Sequence, residues 1–188
     1  MQTKLKENYR CLYLDSPFMV AAMSSKLAAI GVDVLHEVAK RSLVLSSHRD
    51  QLVEGRFDAT VMMNKLEVAL QQALDEGYEG LWAAGDMSWE AGFHTSFGTL
   101  LDYEWRLEEF FHEHPQLQGI CQYHVDTLPR ENLIAGVLAH PAFFINETLS
   151  RLNLRCVRAE NPAHLTKVTS QCDEIISQLC DLNNSTLN

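Results

Sequence analysis

The 188-residue chain lacks the signatures of several large function classes. Neither GxxxxGK followed by Ser or Thr nor GxGxxG occurs, and its 9 glycines are too dispersed to build a loop of backbone amides around a phosphate. ATP hydrolysis by this chain alone is therefore not expected. There is no GxSxG elbow to expose a nucleophilic serine, and no histidine can be assigned as a base to Ser88. Cys121 with His124 is an unpromising nucleophile pair, because the thiol sits in an apolar run that disfavours the thiolate. The five cysteines (Cys11, Cys121, Cys156, Cys172, Cys180) form no CxxC pair, which fits a reducing compartment and thiols used as small core hydrophobes. No apolar run reaches about 18 residues, so no membrane span is expected. The polar start, with Lys4, Lys6 and Glu7, has no apolar signal core. The cytoplasm is the expected compartment. Basic residues are scarce, 15 against 25 acidic for a net charge of −10, so no basic stripe for direct nucleic-acid contact is expected.

What is present is an ordinary globular composition, 46 % hydrophobic and 21 % charged, of a length that suits one domain. Residues 10–14 (RCLYL) read as a strand, closed by Asp15-Ser16-Pro17. A helix follows over 17–30, with Ser16 as cap, Pro17 in its first turn and Gly31 as its stop. Residues 32–40 form a second short helix and 42–46 (SLVLS) a second strand. The loop 47–57 carries His48 and Arg49. Asp58 opens a helix to about residue 76, ended by Gly77, with Val61, Met62, Leu66, Leu70, Ala73 and Leu74 at helical spacing. Residues 81–84 form the third strand and 119–123 (GICQY) the fourth. Between them, a helix over 97–112 has an apolar stripe of Leu100, Leu101, Trp105, Leu107, Phe110 and Phe111, with Asp102, Glu104, Glu108, Glu109 and Glu113 on its other side. A helix over 129–138, a strand over 142–145, an undecided stretch 146–152 and an amphipathic helix over 165–182 complete the chain. Strands alternating with helices imply an α/β fold with a mostly parallel sheet in three layers. No internal repeat or low-complexity linker interrupts it.

The most informative stretch is Leu81-Trp82-Ala83-Ala84-Gly85-Asp86-Met87-Ser88-Trp89, a buried strand running into a polar and aromatic tip. In a parallel α/β sheet, ligands bind beyond the carboxyl ends of the strands. Asp86, Met87, Ser88 and Trp89 follow one strand, Gln122, Tyr123 and His124 another, Asp15 the first, and His48 and Arg49 the second. Together they suggest a small-molecule cleft with aromatic walls and a few polar anchors. The competing reading makes Asp86 a cap and lets Trp89 and Tyr123 complete the core. His112 and His114 stand two apart at a helix end and point away from each other, so with His94 and His124 they do not make a convincing metal site. No metal, catalytic residue or cofactor is assigned.

Three segments carry a resemblance: GYEGLWAAGDMSW at 77–89, LLDYEWRLEEFF at 100–111 and GICQYHVDTLPRENLIAGVLAHP at 119–141, joined by RCLYL and GRFD at 55–58. Over roughly 9–145 the chain resembles the MEDS domain, the methanogen and methylotroph DcmR sensory domain. The resemblance implies a degenerate RecA/KaiC-like P-loop fold without a Walker A motif, with Asp86 at the place of the Walker B acid. It implies a sensory module over 1–160, followed by a C-terminal amphipathic helix and tail over 161–188. The ligand would be small, hydrocarbon derivatives included, and the output would pass through a DNA-binding or histidine-kinase partner. Against the family pattern, the first strand-helix unit looks absent and His124 stands where an Asp is usual. An edge left open in that way invites a second protomer. The expected function is thus a non-enzymatic sensor, homo-oligomeric, with Trp89 and Tyr123 as walls and Asp86, Ser88 and Gln122 as anchors. The alternatives are a nucleotide-binding regulator with weak ATPase activity and a purely structural oligomerisation module.

Overall fold

A computed structural model describes residues 1–47, 58–87, 97–145, 149–152 and 176–177. The chain divides into two compact units, one of Met1–Phe93 and Phe111–Gln122, the other of His94–Phe110 and Tyr123–Asn188.

The first unit is built on β1 (Arg10–Asp15), β2 (Leu43–Ser47), β3 (Leu81–Asp86) and β4 (Leu117–Gln122), all parallel in the order β2-β1-β3-β4. Four helices flank it: α1 (Gln2–Lys6), α2 (Pro17–Ala29), α3 (Val34–Ala39) and α4 (Ala59–Asp75). This is the expected three-layer α/β arrangement of a parallel sheet between helices. Local chemistry sets the helix ends. Ser16 Oγ accepts from the Met19 amide at 3.3 Å, with Pro17 in the first turn. Asp33 and Asp58 cap α3 and α4 in the same way, each accepting an amide at 3.0 Å. Gly31 (φ +88°) and Gly77 (φ +84°) supply the left-handed residues that stop α2 and α4.

Alternation along β1 sends Cys11, Tyr13 and Asp15 to one face. In register, Cys11 stands between Leu43 and Trp82. These join Met1 and Leu5 of the N-terminal segment, Met23 and Leu27 of α2, and Val34 of α3 in one apolar cluster. The α1 helix was not anticipated from its polar sequence; its one apolar residue, Leu5, and the preceding Met1 reach the cluster and hold it in place.

The second unit contains most of α5 (Phe97–Glu113), α6 (Arg130–Ala139) and the antiparallel hairpin β5 (Ala142–Ile145) with β6 (Leu149–Leu152). Leu101, Tyr103, Leu107, Leu133, Ile134 and Leu138 are buried in it. The undecided stretch 146–152 thus ends in a strand. One expectation fails on α5. Glu104, placed by the sequence pattern on the polar side, is fully buried. It lies three residues from both Leu101 and Leu107, and that spacing puts it on their face of the helix. The helix expected over 165–182 lies outside the described residues except for Ile176 and Ser177, of which Ile176 is buried. Among the described residues, no helix is long and apolar enough to cross a membrane.

Candidate functional site

The parallel sheet ends on a polar row. Asp15 pairs in register with Ser47, and Asp86 with Gln122. Since Leu14 pairs with Gly85, the next step along β1 and β3 brings Asp15 beside Asp86. All four strands therefore finish on a side chain that can bond polar groups: Ser47, Asp15, Asp86 and Gln122. The two in the middle are buried, with Asp15 2 % and Asp86 3 % exposed. Like charges at neighbouring register positions repel, and burial removes water that would screen them.

The position of the pair matters as much as its charge. The chain runs from β1 outward to β2, then returns to place β3 on the other side of β1. The gap between β1 and β3 is the topological switch point, where helices leave the sheet in opposite directions and open a crevice. Asp15 and Asp86 stand on its two sides.

Asp15 is held in place. Tyr13 Oη donates to Asp15 Oδ2 at 2.5 Å, and the Ser16 amide donates to Asp15 Oδ1 at 2.5 Å. Burial, the bond to Asp15 and the negative charges of Asp15 and Asp86 all push the Tyr13 phenol well above its ordinary value of 10.0. The phenol stays protonated and keeps its donor aimed at the carboxylate. Only Ser16 separates β1 from α2, and its hydroxyl caps that helix. The first helix N-terminus beside the edge is thereby occupied by the chain's own Asp15 and Ser16, which leaves a poor cradle for phosphate.

Of the residues proposed from sequence, Asp86 and Gln122 come together as register partners, and Met87 follows buried, 3 % exposed. Ser88 and Trp89, with His48 and Arg49, lie outside the described residues. Tyr123 belongs to the second unit, where its hydroxyl donates to Glu104 Oε1 at 2.5 Å and its ring lies against Gly136. An added Cβ at Gly136 would meet Tyr123 Cζ at 2.5 Å, so α6 approaches that ring as only a glycine allows. Sequence reading placed Asp15 at the tip of the first strand but gave it no role; the i, i+2 spacing of Tyr13 and Asp15 was the available signal. It passed over His140 altogether. Among the described residues, His112, His114 and His124 enter no cluster of metal-ligating side chains.

The edge is the carboxyl end of a parallel sheet, the place where such folds bind ligands, and here it carries two acids, a hydroxyl and an amide. No curated protein matches the sequence. The family description MEDS, for MEthanogen/methylotroph, DcmR Sensory domain, matches residues 1–141, which take in β1 through α6. That match covers three quarters of the chain, and the protein belongs to the MEDS family of sensory domains.

Proposed function

We propose that this protein is a non-catalytic sensor whose small-molecule ligand binds at the carboxyl edge of the parallel sheet, between β1 and β3. The buried Asp15–Asp86 pair at the topological switch point carries the reading. Ionised carboxylates accept hydrogen bonds and donate none, so the favoured ligand brings hydroxyl or amine donors on a small hydrocarbon body. Asp86 and Gln122 supply anchors, Ser88 a further one, and Met87 with Trp89 the apolar side of the cleft. Occupancy relieves the repulsion between the two acids and favours one of two states. A DNA-binding or histidine-kinase partner reads that state. Self-association is part of the proposal. Among the described residues β2 is an edge strand, and Phe18, Leu35 and Val38 on its flanking helices are 78 %, 85 % and 43 % exposed.

Native mass spectrometry of freshly purified protein tests this. The expected result is a retained small-molecule mass that denaturation releases. Asp86→Asn weakens its retention about 10- to 100-fold, the loss of one charge-assisted hydrogen bond. Retention that survives both Asp86→Asn and Asp15→Asn refutes the site. A stoichiometric adduct with magnesium and ATP replaces the sensor reading with the nucleotide-binding one.

A further inference from the structure

The second unit holds a cluster of ionisable groups that the sheet edge does not use. α5 presents Glu104 and Glu108 one turn apart, and His140 caps the C-terminus of α6 in extended conformation. The imidazole lies between the two carboxylates: His140 Nδ1 is 2.7 Å from Glu108 Oε1, and Nε2 is 3.4 Å from Glu104 Oε2. A carboxylate only accepts, so Nδ1 carries the proton that bonds Glu108. In the neutral ring, Nε2 then turns a lone pair toward Glu104. The Glu104 side chain is fully buried, and its Oε2 has no hydrogen-bond partner among the described residues. The Tyr123 hydroxyl spends its one proton on Glu104 Oε1 at 2.5 Å and lies 3.3 Å from Nε2.

With the ring neutral, two Lewis bases face each other where Glu104 is cut off from water, and a cation between them, either a metal ion or the ring's own second proton, satisfies both. Their separation fits one kind. Ligands about 2.0–2.1 Å from a tetrahedral zinc stand about 3.4 Å apart. The bond from Nδ1 to Glu108 is the outer-shell carboxylate contact that orients a metal-bound histidine and fixes its tautomer. We propose that Glu104 Oε2 and His140 Nε2 are ligands of a divalent, zinc-class metal site, with Glu108 as the positioning residue behind the imidazole. Partial exposure of the His140 and Glu108 side chains, 16 % and 33 %, provides the route of entry. Two protein ligands leave two of the four tetrahedral positions to water or an incoming donor molecule. This site stands independently of the sheet-edge reading.

The test is equilibrium dialysis of the full chain against micromolar zinc, with cobalt(II) as a spectroscopic substitute. The expected result is one zinc per chain that His140→Gln and Glu104→Gln each abolish, and a tetrahedral cobalt absorption that disappears with it. Glu108→Gln should keep the stoichiometry and lower affinity about 10- to 100-fold. It alters a partly exposed carboxylate, so it carries the test if Glu104→Gln does not fold. The 8 histidines and 5 cysteines of the chain make stray binding a real competitor. Zinc uptake that His140→Gln and Glu108→Gln leave unchanged overturns the proposal. So does a protein that takes up no zinc; protons on both ring nitrogens of His140 by nitrogen-15 NMR then identify a proton as the cation between the carboxylates.

Discussion

The two ends of the parallel sheet bury charge in opposite ways. At the amino end of β1, Arg10 is 5 % exposed and fully engaged. Its guanidinium pairs with Glu76, its Nε donates to the Arg41 carbonyl at 3.0 Å, and it stacks 4.9 Å from the Tyr78 ring centre. Gly80 beside it is pinned as well, because an added Cβ would stand 2.0 Å from the Gln116 carbonyl oxygen. At the carboxyl end, five residues along the same strand, a buried acid neighbours a second buried acid. One end closes its charges on opposite partners and is built for stability. The other sets two acids side by side at the carboxyl edge, the place proposed above for the ligand.

The largest expected effect lies at the amino end. Arg10→Ala should cost about 3 kcal/mol by urea denaturation, through the lost bond to the Arg41 carbonyl and the lost ion pair. Glu76 is partly exposed and regains water, which keeps the loss from being larger. Ligand retention should be unchanged. A stability loss below about 0.5 kcal/mol would dissolve the contrast between the two ends.

A smaller effect lies at the carboxyl end. The fold raises the Tyr13 phenol, so its contribution to stability is fully present below about pH 10 and is lost as the pH climbs through the folded value. Asp86→Asn removes the weakest of the causes, and Asp15→Asn removes the charge of its hydrogen-bond partner and leaves it a neutral amide acceptor. Phenolate absorbance in alkaline titration, with Tyr13→Phe identifying its share, should therefore show the Tyr13 step move down slightly in the first variant and further in the second. Equal shifts would mean that Asp86 stands as close to Tyr13 as Asp15 does.

The smallest effect is a test of the core between the two ends. Burial, the largest cause, pushes the Cys11 thiol from 9.0 up to about 11, against the lowering pull of the N-terminal amino group. At pH 8, Cys11 should react with a thiol reagent only as fast as the protein unfolds, while the half-buried Cys121 reacts ahead of it. Fast labelling of Cys11 would show that the N-terminal segment opens readily.

Much of this architecture was legible in the residues alone. Ser16 and Asp58 cap helices because a short side-chain oxygen reaches an amide three residues on. Gly31 and Gly77 stop helices because the left-handed region is costly for other residues. The apolar runs of β1 and β3 mark strands buried on both faces, and the alternation of elements implies a parallel sheet. Asp86 could be picked out because it is the first charge after such a run. These are local signals, and each depends on residues within one turn or one strand.

Tertiary structure decided the rest. Which strands are neighbours, and therefore that Asp15 and Asp86 share an edge while Gln122 joins them, depends on the order β2-β1-β3-β4, which no local pattern encodes. The burial of Glu104 shows the same limit: an acid amid charged neighbours reads as solvated until Tyr123 and His140, 19 and 36 residues further along the chain, close over it. Sequence determines what each residue can donate, accept or bury. Only the packing of distant segments determines whether water or another side chain answers it, because the energy of a charge is set by its surroundings more than by its identity.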